Sequence, residues 1–361
     1  MSCKRRIALR VSVTDRCQLR CFYCMPASGV ALSAHADILS FEEITRFVHV
    51  LKSGFELTKV HITGGEPLVR RDIVKLIGML AQERIPDLAL TTNGHALDGM
   101  ACELKRAGLH RVNVSLDSLN HKTYAAITCG GDLDQTLRGI ESALRAGLSV
   151  KLNTVVLRNY NAAETPALMS FAIEHNCQIR FLELMPIGCA TEFFDAEFVA
   201  AAEIRKILTE RLPPFENQPD VVTETTKQAL SVGSVISRGV NHADSQRTTP
   251  QWFTLTPVSK RSQDSHKDFM IEDHEGRRGI VGFISPESEP FCGGCTRLRL
   301  TSTGELIPCL AHGDGTNIRH LLQQTKSGVD KILLELVSEM LANKGERDSF
   351  RTTRAMACVG G

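Results

Sequence analysis

From Arg5 to about Arg211, short β-branched runs alternate with longer amphipathic stretches. That alternation predicts repeated β/α units around a parallel sheet, since parallel neighbours need a long crossover and a helix with one apolar stripe covers the sheet face. Six strands are expected, at Ile7–Val13, Lys59–Thr63, Leu88–Thr92, Arg111–Leu116, Ser149–Leu157 and Gln178–Leu184. Helices are expected between them, among them Phe41–Ser53 and Leu133–Ala146, and Ser40-Phe41-Glu42-Glu43 offers a capping box for the first. Past Arg211 the pattern breaks. Residues 212–278 hold Pro213-Pro214, a Thr/Ser-rich stretch and a polar run near Ser262–Asp268, and read as an irregular linker or insertion. Order resumes at Gly279–Ile284. Arg297–Thr301 and Glu305–Pro308 then read as a hairpin turning at Ser302-Thr303-Gly304, followed by helical segments at Asn317–Gln324 and Val329–Ala342. The expected organisation is a partial barrel over 1–211, the irregular segment 212–278 and a smaller C-terminal unit over 279–361.

Polar residues interrupt this pattern at particular places. Gly64-Gly65-Glu66-Pro67 follows the second predicted strand, Asn93-Gly94 the third, Asp117 the fourth and Met185-Pro186 the sixth. All therefore fall on the C-terminal rim, where β/α barrels carry their active sites. Lys151 and Asn153 share one face of the fifth strand, and Arg180 sits mid-strand in the sixth. In a sheet expected to be buried on both faces, they point to a polar, ligand-filled interior; solvated edge positions are the alternative.

Composition narrows the setting. Twelve cysteines in 361 residues would suggest disulfides in a small secreted domain, but this chain is long enough to build its own cores. Met1–Arg6 leads straight into Ile7, leaving no room for a transit peptide, and no apolar run approaches the ~20 residues that span a bilayer. The expectation is a soluble cytoplasmic protein with reduced thiols and no membrane partner. A net charge of +1 argues against a general grip on nucleic acid, so arginine clusters read as local sites.

Two cysteine sets carry candidate chemistry. Cys17, Cys21 and Cys24 are spaced C-x3-C-x2-C in the loop after the first strand. Three thiolates so placed can hold three corners of an iron–sulfur cube and leave its fourth iron open. A disulfide would strand one thiol, and structural zinc would want a fourth ligand nearer than His35. Cys292, Cys295 and Cys309 form a second set. Here a zinc site completed by His312 stays open beside a second cluster, because that spacing is ordinary for zinc. Arg297 and Arg299 alternate on one strand face just after Cys295, a pairing suited to phosphate or carboxylate. Cys3, Cys102, Cys129, Cys177, Cys189 and Cys358 show no ligand spacing.

The cysteine loop with its aromatic Tyr23, followed by Gly64-Gly65-Glu66-Pro67, resembles the radical S-adenosylmethionine (SAM) superfamily. Val13–Cys17, Thr63–Leu68, Leu90–Gly94, Val112–Asp117, Phe291–Leu300 and the final Gly360-Gly361 resemble more closely one family within it, the GTP 3′,8-cyclases of molybdenum cofactor biosynthesis. That resemblance implies an incomplete (β/α)6 TIM-like barrel closed by a smaller C-terminal domain with a second iron–sulfur cluster, usually as a homodimer. It implies two 4Fe-4S clusters, SAM, an external electron donor that the sequence does not identify, and GTP as substrate. Carried over residue by residue, Cys17, Cys21 and Cys24 would hold the SAM cluster, and Tyr23, Gly65, Ser115 and Met185 would contact SAM. Cys292, Cys295 and Cys309 would hold the second cluster. Arg10, Thr91, Lys151, Arg297 and Arg299 would contact GTP, Arg180 would lie near SAM, and Gly360 and Gly361 would reach the active site. His61 stands where the family usually has arginine, which would leave a phosphate-side contact weaker or pH-sensitive. A radical SAM peptide-modifying enzyme is the competing reading.

Overall fold

The computed structural model describes residues 4–210, 253–258, 267–290, 292–310, 315–324, 328–344 and 354–356. Twelve strands among these residues are β1 (Arg6–Ser12), β2 (Glu56–Thr63), β3 (Leu88–Thr92), β4 (Arg111–Ser115), β5 (Ser149–Val156), β6 (Gln178–Glu183), β7 (Phe253–Pro257), β8 (Lys267–Asp273), β9 (Arg278–Ile284), β10 (Arg297–Leu300), β11 (Glu305–Ile307) and β12 (Thr316–Asn317). They form one sheet in the order β12-β11-β10-β1-β2-β3-β4-β5-β6-β9-β8-β7. β1 to β6 are parallel in sequence order, the half-barrel that the β/α alternation predicts. The two ends of the sheet do not pair, so the barrel stays open.

The later part of the chain extends both edges. β10 pairs in parallel with β1, and β9 in parallel with β6. The hairpin β7–β8 continues antiparallel from β9. This corrects the reading of 212–278 as irregular throughout, since β7 and β8 lie within it. Phe253–Pro257 alternates apolar and polar residues, but it is only five residues long, and Lys267–Asp273 has charged residues at both ends; both take their place in the sheet from partner strands. The rest of that segment lies outside the described residues, as do His312, Gly360 and Gly361. The helix expected over Asn317–Gln324 is confined to Arg319–Leu322, because Thr316 and Asn317 pair with β11 instead. Val329–Ala342 is helical as expected.

Strand periodicity explains the interior. Along β4, Val112 and Val114 are fully buried and join the main core, while Arg111, Asn113 and Ser115 take the opposite face. β1, β2 and β5 repeat the pattern: Leu9, Val11, Val60, Ile62, Val150 and Leu152 pack in the core, and Arg10, Lys59, His61, Lys151 and Asn153 alternate with them. The apolar face packs against the helices, and the polar face lines the concave side. The helix Phe41–Gly54 starts at the expected capping box: Ser40 Oγ accepts from Glu43 N at 3.1 Å, and Ser40 N donates to the Glu43 carboxylate at 2.6 Å. No described helix is long and apolar enough to cross a membrane.

Candidate functional site

The first cysteine loop leaves β1 at the rim and is pinned across the barrel mouth. Arg20 N donates to Thr128 O at 3.2 Å and Phe22 N to Ile127 O at 3.1 Å, which ties the loop to the end of the helix His121–Thr128. Cys24 N and Met25 N both donate to Cys21 O. Burial pushes the Cys21 thiol well up, and Asp117, Cys24 and Cys17 push the same way. Burial raises the Cys17 thiol as well, and thiols so placed resist ionising unless a cation takes up the charge, as iron does. Among the described residues no three His, Cys, Asp or Glu side chains gather as they would round a single metal ion. The corner thiolates of an iron–sulfur cube each take a different iron.

Glycine is required next to this loop. Gly65 N donates to Thr14 O at 2.7 Å, and a Cβ on Gly65 would lie 2.4 Å from Arg16 O. Glu66 holds the neighbouring strand ends together, accepting from Leu68 N, from Asn93 N and from the Thr92 hydroxyl at 2.7–3.0 Å. Burial raises its carboxyl to about 7. Asn93 Nδ2 in turn lies 3.9 Å from Cys17 Sγ. Tyr23 donates its hydroxyl to Asp117 at 2.7 Å, so only its main chain and ring remain for a ligand. Ser115 and Asn153 are register partners, and the Asn153 carboxamide oxygen is buried with no hydrogen-bond partner. Met185 packs with Ile187, Ile307, Leu310 and Met356.

Deeper inside, the polar strand faces converge as cations. Arg10 sits beside Arg299 in the register of β1 and β10, and Asn153 beside Arg180 in that of β5 and β6. Burial lowers Arg10 well below its usual range, and Arg299, Arg297, Arg180 and Arg111 press it further. Burial likewise takes Arg299 and Arg180 each to about 10, with Arg297 repelling the first and Arg111 the second. Lys59 falls to about 8, and Lys151 to about 7, where Arg180 and Arg111 add to burial. Among the described residues, Asp87 and Asp268 act against this charge. A protein gains nothing by crowding buried cations unless a polyanion enters among them.

The second cysteine set lies at the other end of β1. Cys295 precedes Arg297, which pairs with Ala8, whereas Cys17 follows the far end of the strand, and β1 spans ~20 Å. The cationic layer of Arg10 and Arg299 therefore falls between the two sets. Cys295 N donates to Cys292 O at 3.0 Å in a single helical turn, and Cys309 follows β11. Burial pushes the Cys295 thiol up, but the Lys344 ammonium, 3.4 Å from its sulfur, and Arg297 together outweigh that and hold it below the usual range. Downstream, Arg354 clamps Glu305 bidentately at 2.7 and 3.0 Å, and Met356 packs against the same cluster of Ile187, Ile307 and Leu310 as Met185. The last described residues thus lie at the rim.

Sequence reasoning missed Lys59, Arg111, Asn113 and Lys344. The first three could have been found by applying to β2 and β4 the period-two argument used on β5; nothing local in the sequence signals Lys344. Cys129 and Cys189, set aside for want of spacing, both lie beside the first cysteine loop: Cys129 acts on the Cys21 thiol, and Cys189 Sγ is 3.1 Å from Phe22 O.

Two family profiles match: the radical SAM superfamily over residues 11–172 and Molybdenum Cofactor Synthesis C over 231–350. The chain is 36% identical over 359 residues to a GTP 3′,8-cyclase of Petrotoga mobilis, covering 98% of this chain and 97% of that one. It is 38% identical over 357 residues to that of Moorella thermoacetica, with the same coverage. The chain belongs to the GTP 3′,8-cyclase family. Among solved structures, SuiB of Streptococcus suis bound to S-adenosylmethionine shares the fold, with a TM-score of 0.55 at 15% identity over 91% of this chain and 66% of that one. This chain thus spans about two thirds of SuiB's length. As a radical SAM member of the cyclase family, the chain carries a 4Fe-4S cluster and takes SAM. The crowded thiols of Cys17, Cys21 and Cys24, the close backbone approach at Gly65 and the unpartnered Asn153 oxygen fit that pair.

Proposed function

We propose that this chain is a GTP 3′,8-cyclase that binds SAM at the rim and GTP in the cationic interior, converting GTP to (8S)-3′,8-cyclo-7,8-dihydroguanosine 5′-triphosphate in an early step of molybdenum cofactor biosynthesis. The observation that carries the reading is the layer of Arg10, Arg299, Arg180 and Lys151, buried and crowded between two tricysteine sets. When bound, the cluster at Cys17, Cys21 and Cys24 and its SAM supply a 5′-deoxyadenosyl radical able to take a hydrogen from the ribose.

The protein's own part is geometric. Gly65, Ser115, Met185 and the Tyr23 main chain seat SAM, and Asn153 offers its open acceptor to it. Arg10, Lys151, Arg297 and Arg299 hold the triphosphate by charge-assisted hydrogen bonds, roughly twice as strong as neutral ones. Thr91 meets the nucleoside. Holding ribose and guanine together in a site closed to water is worth several orders of magnitude in rate. Cys292, Cys295 and Cys309 hold a second 4Fe-4S cluster on the guanine side, with Lys344 beside Cys295. Near-complete coverage at 36–38% identity to cyclases sets the peptide-modifying alternative aside, since the likeness to SuiB is one of fold.

Gly360 and Gly361 are assigned a part in the reaction by the family resemblance; Gly361 stands five residues beyond Met356 in sequence, a reach of up to ~17 Å. Deleting Gly360-Gly361 is expected to abolish cyclisation while SAM binding stays within about twofold; retained cyclisation would remove the tail from the mechanism. Anaerobically purified protein is expected to hold two four-iron clusters, and stoichiometric zinc at Cys292, Cys295 and Cys309 would refute the second.

A further inference from the structure

His61 lies on β2 facing the interior, 9% exposed, and meets Thr91 of β3 and Asn113 of β4, themselves register partners. Its Nε2 is 2.7 Å from Thr91 Oγ1 and 3.3 Å from Asn113 Nδ2. The direction of these bonds follows from the far end of the chain of contacts. Arg111 has only donors; two of its nitrogens grip Asp87 at 2.9 and 3.0 Å, and the third reaches Asn113 Oδ1 at 2.6 Å. The Asn113 oxygen must therefore face Arg111, which turns its amide nitrogen toward His61. An amide nitrogen can only donate, so His61 Nε2 accepts, and the imidazole is neutral with its proton on Nδ1. Burial first, then Arg10, Arg111, Lys59 and Arg180, disfavour the imidazolium and agree with this state. Thr91, at 2.7 Å from the same nitrogen, must spend its proton on His61.

We propose that His61 is a positioning residue that commits the Thr91 hydroxyl proton and so makes Thr91 a pure acceptor, selecting an N–H or O–H donor on the ribose or guanine and turning away phosphate oxygens. The inference rests on the reading of this interior as the GTP site. Asp87, Arg111, Asn113 and His61 form the relay, and Thr91 is its outlet. An arginine at position 61 has only donors and could not play this part. The triphosphate is left to the cations Arg10, Lys151, Arg297 and Arg299, of which Arg10 is His61's register partner on β1.

The test is a double-variant cycle on anaerobic, cluster-loaded full-length enzyme, reading the GTP dissociation constant by equilibrium dialysis. Thr91→Val and His61→Leu should each weaken GTP binding about tenfold, and the double variant no more than about twofold beyond either, because His61 acts through Thr91. His61→Gln, whose side-chain oxygen can accept near the place of Nε2, should bind GTP within about threefold of the wild type. The loss on Thr91→Val should be equal for GTP, GDP and GMP, since the contact is with the nucleoside. Iron content and melting temperature of each variant show that the fold is kept. Additive losses, or a Thr91→Val effect that shrinks as phosphates are removed, would overturn the proposal while leaving the cyclase reading intact. A loaded wild type that binds no GTP would overturn both.

Discussion

Lys151 shows what one residue contributes to this interior. Burial and the neighbouring Arg180 and Arg111 lower its ammonium from 10.5 to about 7, so at pH 8 the free protein holds it mainly neutral. A triphosphate alongside favours the charged form, so GTP binding should take up a proton, and affinity should fall as pH rises from 6.5 to 8.5. Calorimetry in buffers of different ionisation enthalpy would measure that uptake, and Lys151→Arg, always charged, should abolish it; no uptake by the wild type would contradict the assignment. The same shift affects stability. Between pH 7 and 10.5 the unfolded chain binds the proton that the folded one has lost, so for this group stability of the free protein rises with pH across that window. Lys151, Arg180, Arg297 and Arg299 were legible as single charges on strands. Their crowding was not, because it arises from pairing β5 with β6 and β1 with β10, residues far apart in sequence.

At the scale of elements, the rim depends on tight backbone contacts. With Gly65→Ala, a methyl would sit 2.4 Å from Arg16 O, and that atom belongs to the main chain and cannot swing away. The variant should lose about half or more of the iron held at Cys17, Cys21 and Cys24, with the helix content of the barrel unchanged; paired iron analysis and circular dichroism would check it. Full iron in Gly65→Ala would mean the loop has slack that the structure does not show. The six central strands were readable to within one residue at most ends, because each carries its own apolar periodicity and a helix follows it. β2 begins three residues earlier than expected, at Glu56, where pairing with Arg6 extends a segment whose own polarity suggested a loop. β7 and β8 were unreadable for the same reason. Their order comes from the partner strand β9.

For the whole molecule, the C-terminal part does more than cap the barrel. It supplies a parallel strand to each edge, β10 against β1 and β9 against β6, and so sets Arg299 beside Arg10 and Cys295 at the opposite end of β1 from Cys17. The two cysteine sets were plain in the sequence as spacings, but their opposition follows from a topology that joins residues 8 and 297. Arg354 on Glu305, and Met356 on the cluster that Met185 also joins, then bring residues 354–356 to the rim. On the proposed function, the radical-generating end and the nucleotide-holding end belong to one chain. The most direct test is anaerobic incubation of iron-loaded protein with GTP, SAM and a reductant, read by mass spectrometry. The expected result is 3′,8-cyclo-7,8-dihydro-GTP together with 5′-deoxyadenosine. A fully loaded sample that forms neither would contradict the account.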